Sequence, residues 1–170
     1  MENTGIHRAK TWQMALFALN NTSTNLWLVL LNFVAYYLTG YVGVAVVMAT
    51  SVMTFMRIWD AITDPIVGYI VDKTDGKFGK NRPFMAAGNI VLLITTFLMF
   101  FTTHHLPEQY RFIYFLVIYL IYIIGYTLQT VVTKSAQSCL TNDPKQRPTF
   151  GIYDGIYNAT LFALVPGFVA

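Results

Sequence analysis

Long uncharged, apolar stretches alternate with short polar clusters along the chain. Positions 11–56 carry no charged residue. A membrane helix takes about 20 apolar residues, so this stretch predicts two spans. Gly40 and Gly43, after the run Ala35-Tyr36-Tyr37-Leu38, mark the turn between them. Phe84 to Thr103 and Phe112 to Thr133 are uncharged throughout, and Gly155 to Ala170 is mainly apolar. The pattern predicts an all-α membrane protein with about five transmembrane helices, at 13–38, 42–71, 84–103, 111–139 and 149–170.

Composition narrows the class. The 170 residues are 55% hydrophobic and 11% charged, whereas a soluble domain carries about 25% charged residues. A soluble globular enzyme is excluded, and the 13 Phe and 11 Tyr exclude a disordered chain. The single Cys139 excludes a disulfide scaffold and a multi-cysteine metal site. The formal charge of +3 does not point to nucleic acid, because the basic residues sit at the ends of apolar segments.

Those basic residues set an orientation. Arg8 and Lys10 precede the first span, Lys73, Lys77, Lys80 and Arg82 follow the second, and Lys145 and Arg147 follow the fourth. The first connection has none and the third has only Arg111. The positive-inside rule places the N-terminus and the basic connections in the cytoplasm of a multi-pass cell-membrane protein. The polar run Asn20-Asn21-Thr22-Ser23-Thr24-Asn25 does not suit a cleaved signal peptide. Tyr36, Tyr37, Tyr41 and Tyr110, near span ends, fit an interfacial belt. His104 and His105, beside Pro107, read as a solvated external turn with no third ligand nearby in sequence.

A charge at membrane depth costs about 2.5–3.5 kcal/mol on insertion scales, so it persists where it pairs or lines a polar cavity. The second span carries Arg57, Asp60 and Asp64 at spacings that share one helix face. Two carboxylates a turn apart repel unless a cation, a shared proton or a basic side chain lies between them. Arg57 is placed to offset Asp60 in part, which leaves one carboxylate for a cation; a purely structural Arg–Asp pair is the other reading. Pro65 frees a backbone carbonyl near Ile62 or Ala61. In the fourth span Thr127, Thr130 and Lys134 share a face, and Lys134 either snorkels to the interface or reaches a central cavity. The Asn20–Asn25 run cannot all face lipid and must line a wet cavity or pack on polar neighbours. Asp154 lies early in the fifth span, near the interface. In the second connection, Gly68 is expected to let its helix approach another closely. Asp72 sits at a helix end where an acid needs a compensating partner, and Gly76 and Gly79 suit a tight reversal. This connection reads either as a positive-inside loop or as a cytoplasmic latch.

The run Arg57-Ile58-Trp59-Asp60-Ala61-Ile62-Thr63-Asp64-Pro65, with Gly68, Asp72, Gly79, Lys80, Arg82 and Pro83, resembles the glycoside–pentoside–hexuronide:cation symporter family. That family, of which melibiose permease is a familiar member, lies within the major facilitator superfamily. Tyr36-Tyr37-Leu38-Thr39, Gly125-Tyr126-Thr127 and Thr141-Asn142-Asp143 with Arg147 fit at consistent spacing. The resemblance implies the N-terminal part of a major-facilitator-type helical bundle, with residues 1–170 forming a partial transmembrane domain. It implies cation-coupled (sodium or proton) symport of a sugar or glycoside, with no cofactor, no enzymatic activity, and no metal beyond a sodium ion at the cation site.

It also implies roles for residues. Asp60, Thr63, Asp64 and Thr127 correspond to the coupling-cation site. Thr24, Asn25, Tyr126, Thr130 and Lys134 are the candidate substrate residues. Thr24 and Thr130 stand where melibiose permease has sugar-binding acids, Lys134 stands near a Trp, and Gly155 near an Arg, so galactoside specificity does not carry over. Lys134 suits an acidic substrate such as a uronide, or a salt bridge to Asp60/Asp64 with proton coupling. Gly68, Asp72, Lys73, Gly79, Arg82, Pro83 and Arg147 form the expected cytoplasmic gating loop. Family members have twelve helices, so the chain is expected to be a fragment lacking the C-terminal half of the same transporter, with the bilayer and a small sugar as its other partners. The alternative is a half-size membrane protein that oligomerises, or a non-transporting remnant.

Overall fold

Apolar stretches of this length have to satisfy their backbone polar groups internally, and in lipid the helix does so within one segment. The computed structural model describes residues 7–74, 79–141 and 143–169, and of Ser138 and residues 166–169 the backbone alone. Asp75, Gly76, Lys77, Phe78 and Asn142 lie outside the described residues. The described residues are helical, with no strand among them. The order is α1 (Thr11–Asn32), α2 (Val34–Gly40), α3 (Val46–Lys73), α4 (Arg82–Phe97), a π turn at Leu98–Thr102, a 3₁₀ turn at Thr103–His105, α5 (Glu108–Leu140), a 3₁₀ turn at Pro144–Gln146, and α6 (Arg147–Val169).

Four helical segments are long and apolar enough to cross a membrane: Thr11–Gly40, Val46–Lys73, Arg82–His105 and Glu108–Gln137. The first continues through a single turn at Phe33, whose N–H donates to Leu30 O at 3.1 Å. The expected fifth span folds as α6, a 23-residue helix; among the described residues it is not one of these four, and it carries Arg147, Asp154, Asn158 and two threonines. Gly43 makes the expected turn before α3 with φ +79°, which only glycine adopts without strain.

The chain forms two compact units. One comprises Leu30–Val132. Its α3 buries Ala49, Val52, Met56, Thr63, Val67 and Val71, a stripe at spacings of three, four and seven. Val67 and Val71 pack with Val132, flanked by Phe84, Met85, Leu128 and Val131. Helices α4 and α5 cross closely at Gly88 and Gly125: a Cβ on Gly88 would lie 3.2 Å from Gly125 O, and one on Gly125 would lie 2.8 Å from Val91 Cγ1. The close approach expected at Gly68 is absent, for a Cβ there meets nothing within 4 Å. Small size permits contact between helices, and the facing surface decides which glycine uses it.

Tyr37 also departs from its expected place. It is buried at 8% exposure rather than interfacial. Its ring stacks on Phe115 (5.7 Å between centroids) and meets Phe100 edge-on (5.1 Å). Its hydroxyl donates to Phe100 O, within the π turn, at 3.3 Å. Its neighbours Tyr36 and Tyr41, and Tyr110, are exposed.

The other unit comprises Met1–Val29 with Thr133–Ala170. Its apolar cluster is Ala9, Met14 and Phe150, with Phe17, Leu140 and Tyr153 packed against it.

Candidate functional site

The polar residues of α3 are sorted by helix geometry. Asp60 falls four residues after buried Met56 and three before buried Thr63, so it lies within the buried stripe and is itself half-buried. Helix α5 brings Thr127, fully buried, against it. Thr127 Oγ1 donates to Asp60 Oδ1 at 2.9 Å, and the Thr63 and Thr127 hydroxyls lie 3.2 Å apart. Thr63 Oγ1 also donates to Asp60 O at 3.0 Å.

Proton counting fixes the chemistry of this group. Each hydroxyl has one proton. The Thr127 proton is committed to the carboxylate, so its lone pairs face Thr63 or a bound species. The cluster therefore holds one negative charge and several oxygen acceptors within hydrogen-bond distance of each other. Asp64, one turn on, is exposed at the edge of the stripe. Arg57 is exposed, and among the described residues no ion pair joins it to Asp60. The Asp60 carboxylate accepts instead from a hydroxyl of α5. Tyr126, half-buried on α5, lies within the fields of Asp60, Arg57 and Asp64. Thr130 Oγ1 donates to Tyr126 O at 2.9 Å, and Gly125, one residue before Tyr126, holds α5 tight against α4.

The remaining sequence candidates fall elsewhere. At the α3–α4 connection Asp72 pairs with Lys80, the partner its helix-end position demands, and Lys73 lies 4.6 Å over the Tyr69 ring. Gly79 adopts φ +82°. Arg82 opens α4 with Pro83 in its first turn, where the missing N–H costs nothing. Both are exposed, as is Arg147.

In the unit of Met1–Val29 with Thr133–Ala170, Thr24 is buried and its hydroxyl donates to Asn20 O at 3.2 Å. Asn25 Nδ2 donates to Asn158 Oδ1 at 2.8 Å. Asn20 Nδ2 donates to Thr133 Oγ1 at 3.1 Å, and Asp154 buries its Oδ1 without a hydrogen-bond partner among the described residues. The polar run of the first span therefore packs on polar partners from α5 and α6. Lys134 is exposed on α5. Sequence reasoning missed the partnership of Asn25 with Asn158; its trace is that Asn21 and Asp154 stand four residues earlier at the same separation.

The profile of the family described as MFS/sugar transport protein matches residues 20–168. The chain belongs to that family. Its members are membrane transporters rather than enzymes, and the chain is a multi-pass protein of the cell membrane with an N-terminal major-facilitator-type helical bundle. It is 32% identical over 119 residues to the uncharacterized symporter YjmB of Bacillus subtilis (strain 168), a stretch covering 69% of this chain and 26% of that one. It is 31% identical over 121 residues to YagG of Escherichia coli (strain K12), named provisionally as a glycoside/cation symporter, covering 71% of this chain and 26% of the relative. It is 27% identical over 130 residues to the glucuronide carrier protein homolog of Escherichia coli (strain K12), covering 76% and 28%. The chain thus spans about a quarter of the length of the curated relatives it matches. Symporter relatives point to a co-transported ion rather than a resident cofactor.

Proposed function

We propose that this chain supplies the cation-coupling helices of a sugar or glycoside symporter. The observation that carries the reading is the Asp60–Thr127–Thr63 cluster: a membrane-depth carboxylate that accepts from the Thr127 hydroxyl, with the Thr63 hydroxyl against Thr127 and Asp64 one turn away. Two carboxylates on one helix face repel when both are charged. A cation, sodium or proton, relieves that repulsion at Asp60 and Asp64, and for sodium the Thr63 and Thr127 oxygens complete the ligand set. Binding of cation and sugar then favour one another by the same free energy, the reciprocity that any linked pair of ligands obeys.

The substrate side is read from Thr24, Asn25, Tyr126, Thr130 and Lys134, whose amides, hydroxyls and ammonium suit sugar hydroxyls and, at Lys134, the carboxylate of a uronide. The relative named as a glucuronide carrier homolog supports the acidic-sugar version. The Asp72–Lys80 pair with Lys73, Gly79, Arg82, Pro83 and Arg147 supplies a cytoplasmic latch that rearranges as access alternates. Because the matched stretch is about a quarter of each relative, the remaining helices of the working transporter are part of the proposal.

Uptake of labelled sugars by cells expressing the complete protein tests it. A sodium or pH gradient should drive accumulation in the wild type, and Asp60→Asn should abolish it. Accumulation against a gradient by Asp60→Asn at the wild-type level sinks the assignment. Lys134→Ala should weaken uptake of a uronide more than that of a neutral glycoside.

A further inference from the structure

Helices α1 and α6 run parallel, and their facing residues keep a constant offset. Asn25 faces Asn158 at a sequence separation of 133. The same offset holds two turns earlier at Phe17 and Phe150, whose rings meet edge-on at 6.0 Å, and Asn21 and Asp154 stand at that offset in sequence between them. The Asn25–Asn158 layer tolerates this register alone. Sliding one helix by a residue takes each amide from its partner, and a polar group left unpaired in apolar surroundings is costly. The apolar layer of Met14, Phe17, Phe150 and Tyr153 is more permissive, because non-directional contacts re-form after a slip.

At the cytoplasmic end of these helices is a second set of directional contacts. The Gln146 amide bonds both backbone groups of one residue: Ala9 N–H donates to its Oε1 at 2.9 Å, and its Nε2 donates to Ala9 O at 2.9 Å. The Thr141 hydroxyl lies 2.9 Å from His7 O and 2.8 Å from Gln146 Oε1. Arg8 Nε donates to Asp143 Oδ2 at 2.6 Å, and Asp143 Oδ1 accepts the Lys145 N–H at 2.9 Å. The Asp143 side chain is 4% exposed. Every one of these bonds spans the segment at residues 7–9 and the α5–α6 connection, or braces that connection.

We propose that Gln146 and the Arg8–Asp143 pair are positioning residues that fix the axial register of α1 against α6. Through that register they decide which members of the Asn20–Asn25 run face Asp154 and Asn158. Gln146 is the ruler, because its amide recognises one backbone residue at both its N–H and its C=O, and a one-residue slip breaks both bonds. The consequence for sugar affinity rests on the transport reading above, since Thr24 and Asn25 lie in the registered stripe.

The test uses the complete protein with Cys139→Ser and cysteines placed by Asn25→Cys and Asn158→Cys. Treatment with a short bis-methanethiosulfonate reports whether the two positions still face one another. The cross-link should form rapidly with the clamp intact and with Arg8→Lys, which retains the charge. It should form several-fold more slowly with Gln146→Glu, which cannot donate to Ala9 O, and with Arg8→Gln, each compared at equal protein in the membrane. Equal rates in all four overturn the proposal, as does slowing that merely follows loss of protein. In a second arm, uptake kinetics with Asn25 and Asn158 restored should show a raised sugar KM at an unchanged maximal rate in Gln146→Glu. An unaltered KM alongside a slowed cross-link overturns the link from register to binding. A wild type that accumulates no sugar fails the transport reading instead, and the cross-linking arm still decides the clamp.

Discussion

The two units solve the problem of polar groups at membrane depth in different ways. Within Met1–Val29 and Thr133–Ala170, amides meet polar partners: Asn25 with Asn158 and Asn20 with Thr133. An amide both donates and accepts, so such pairs close on themselves and hold helices together. Within Leu30–Val132, the carboxylate of Asp60 accepts from one hydroxyl, that of Thr127, with the Thr63 hydroxyl 3.2 Å beyond it. Hydroxyls can solvate a negative charge but cannot cancel it. The first arrangement is suited to fixing geometry. The second keeps an unspent charge among oxygens, which is what a reversible cation site requires.

The largest effect should come from discharging the second cluster without changing its shape. Asp60→Asn keeps the volume and can still accept from Thr127. If the charge is what couples ion to sugar, cation stimulation of uptake in the complete protein should fall by the whole linkage factor, up to roughly 150-fold for typical couplings. Sugar binding without cation should survive. If Asp60 is only a packing group, stimulation will persist and the contrast between the units fails.

Next comes the crossing that places α5 beside that cluster. A Cβ on Gly125 would lie 2.8 Å from Val91 Cγ1, so Gly125→Ala forces apart α4 and α5, at about 1–3 kcal/mol for overpacking. Thermal unfolding in detergent should show a clear loss. Gly68→Ala, with open space around it, should be neutral or stabilising by up to about 1 kcal/mol from helix propensity. Equal behaviour of the two variants would mean that the crossing at Gly88 and Gly125 is not a real constraint.

Smaller again is the loss of one amide pair. Asn158→Ala leaves Asn25 without that bond, and hydrogen bonds between membrane helices average about 0.6 kcal/mol. Unfolding should shift only slightly, while cation stimulation of uptake should stay at the wild-type level. A loss of cation stimulation in this variant would move the coupling role from Asp60 to the amide layers.

These elements differ in how far they could be read from the chain. Asp60, Thr63 and Asp64 are neighbours on one helix, so their grouping follows from helical spacing. Thr127 joined them through a resemblance of motifs, because nothing local marks one threonine of α5 over Thr130 or Thr133. Gly68 and Gly125 look alike in sequence, and only the surface opposite each decides which is a crossing. Tyr36 and Tyr37 are adjacent, yet one is exposed and the other buried, since a helix turns them to different faces. The pairing of Arg8 with Asp143 spans 135 positions, and both residues read locally as ordinary loop charges.

The clamp also yields the smallest expected effect, a flat pH response. The Lys145 N–H and the Arg8 guanidinium both bind the charged form of Asp143 and hold its carboxyl below the usual carboxylate range. A depressed value stabilises the folded clamp fully above the ordinary carboxylate pKa of about 3.9, and this contribution is lost only as pH falls through the lowered value. Cross-linking between positions 25 and 158 should therefore be unchanged from about pH 8 to about pH 5, once the thiol reactivity of the reagent is corrected for with a freely exposed cysteine. Loss of the cross-link already in mildly acid solution would take control of the register away from Asp143, whereas loss confined to strongly acid solution would leave it with the Arg8–Asp143 pair.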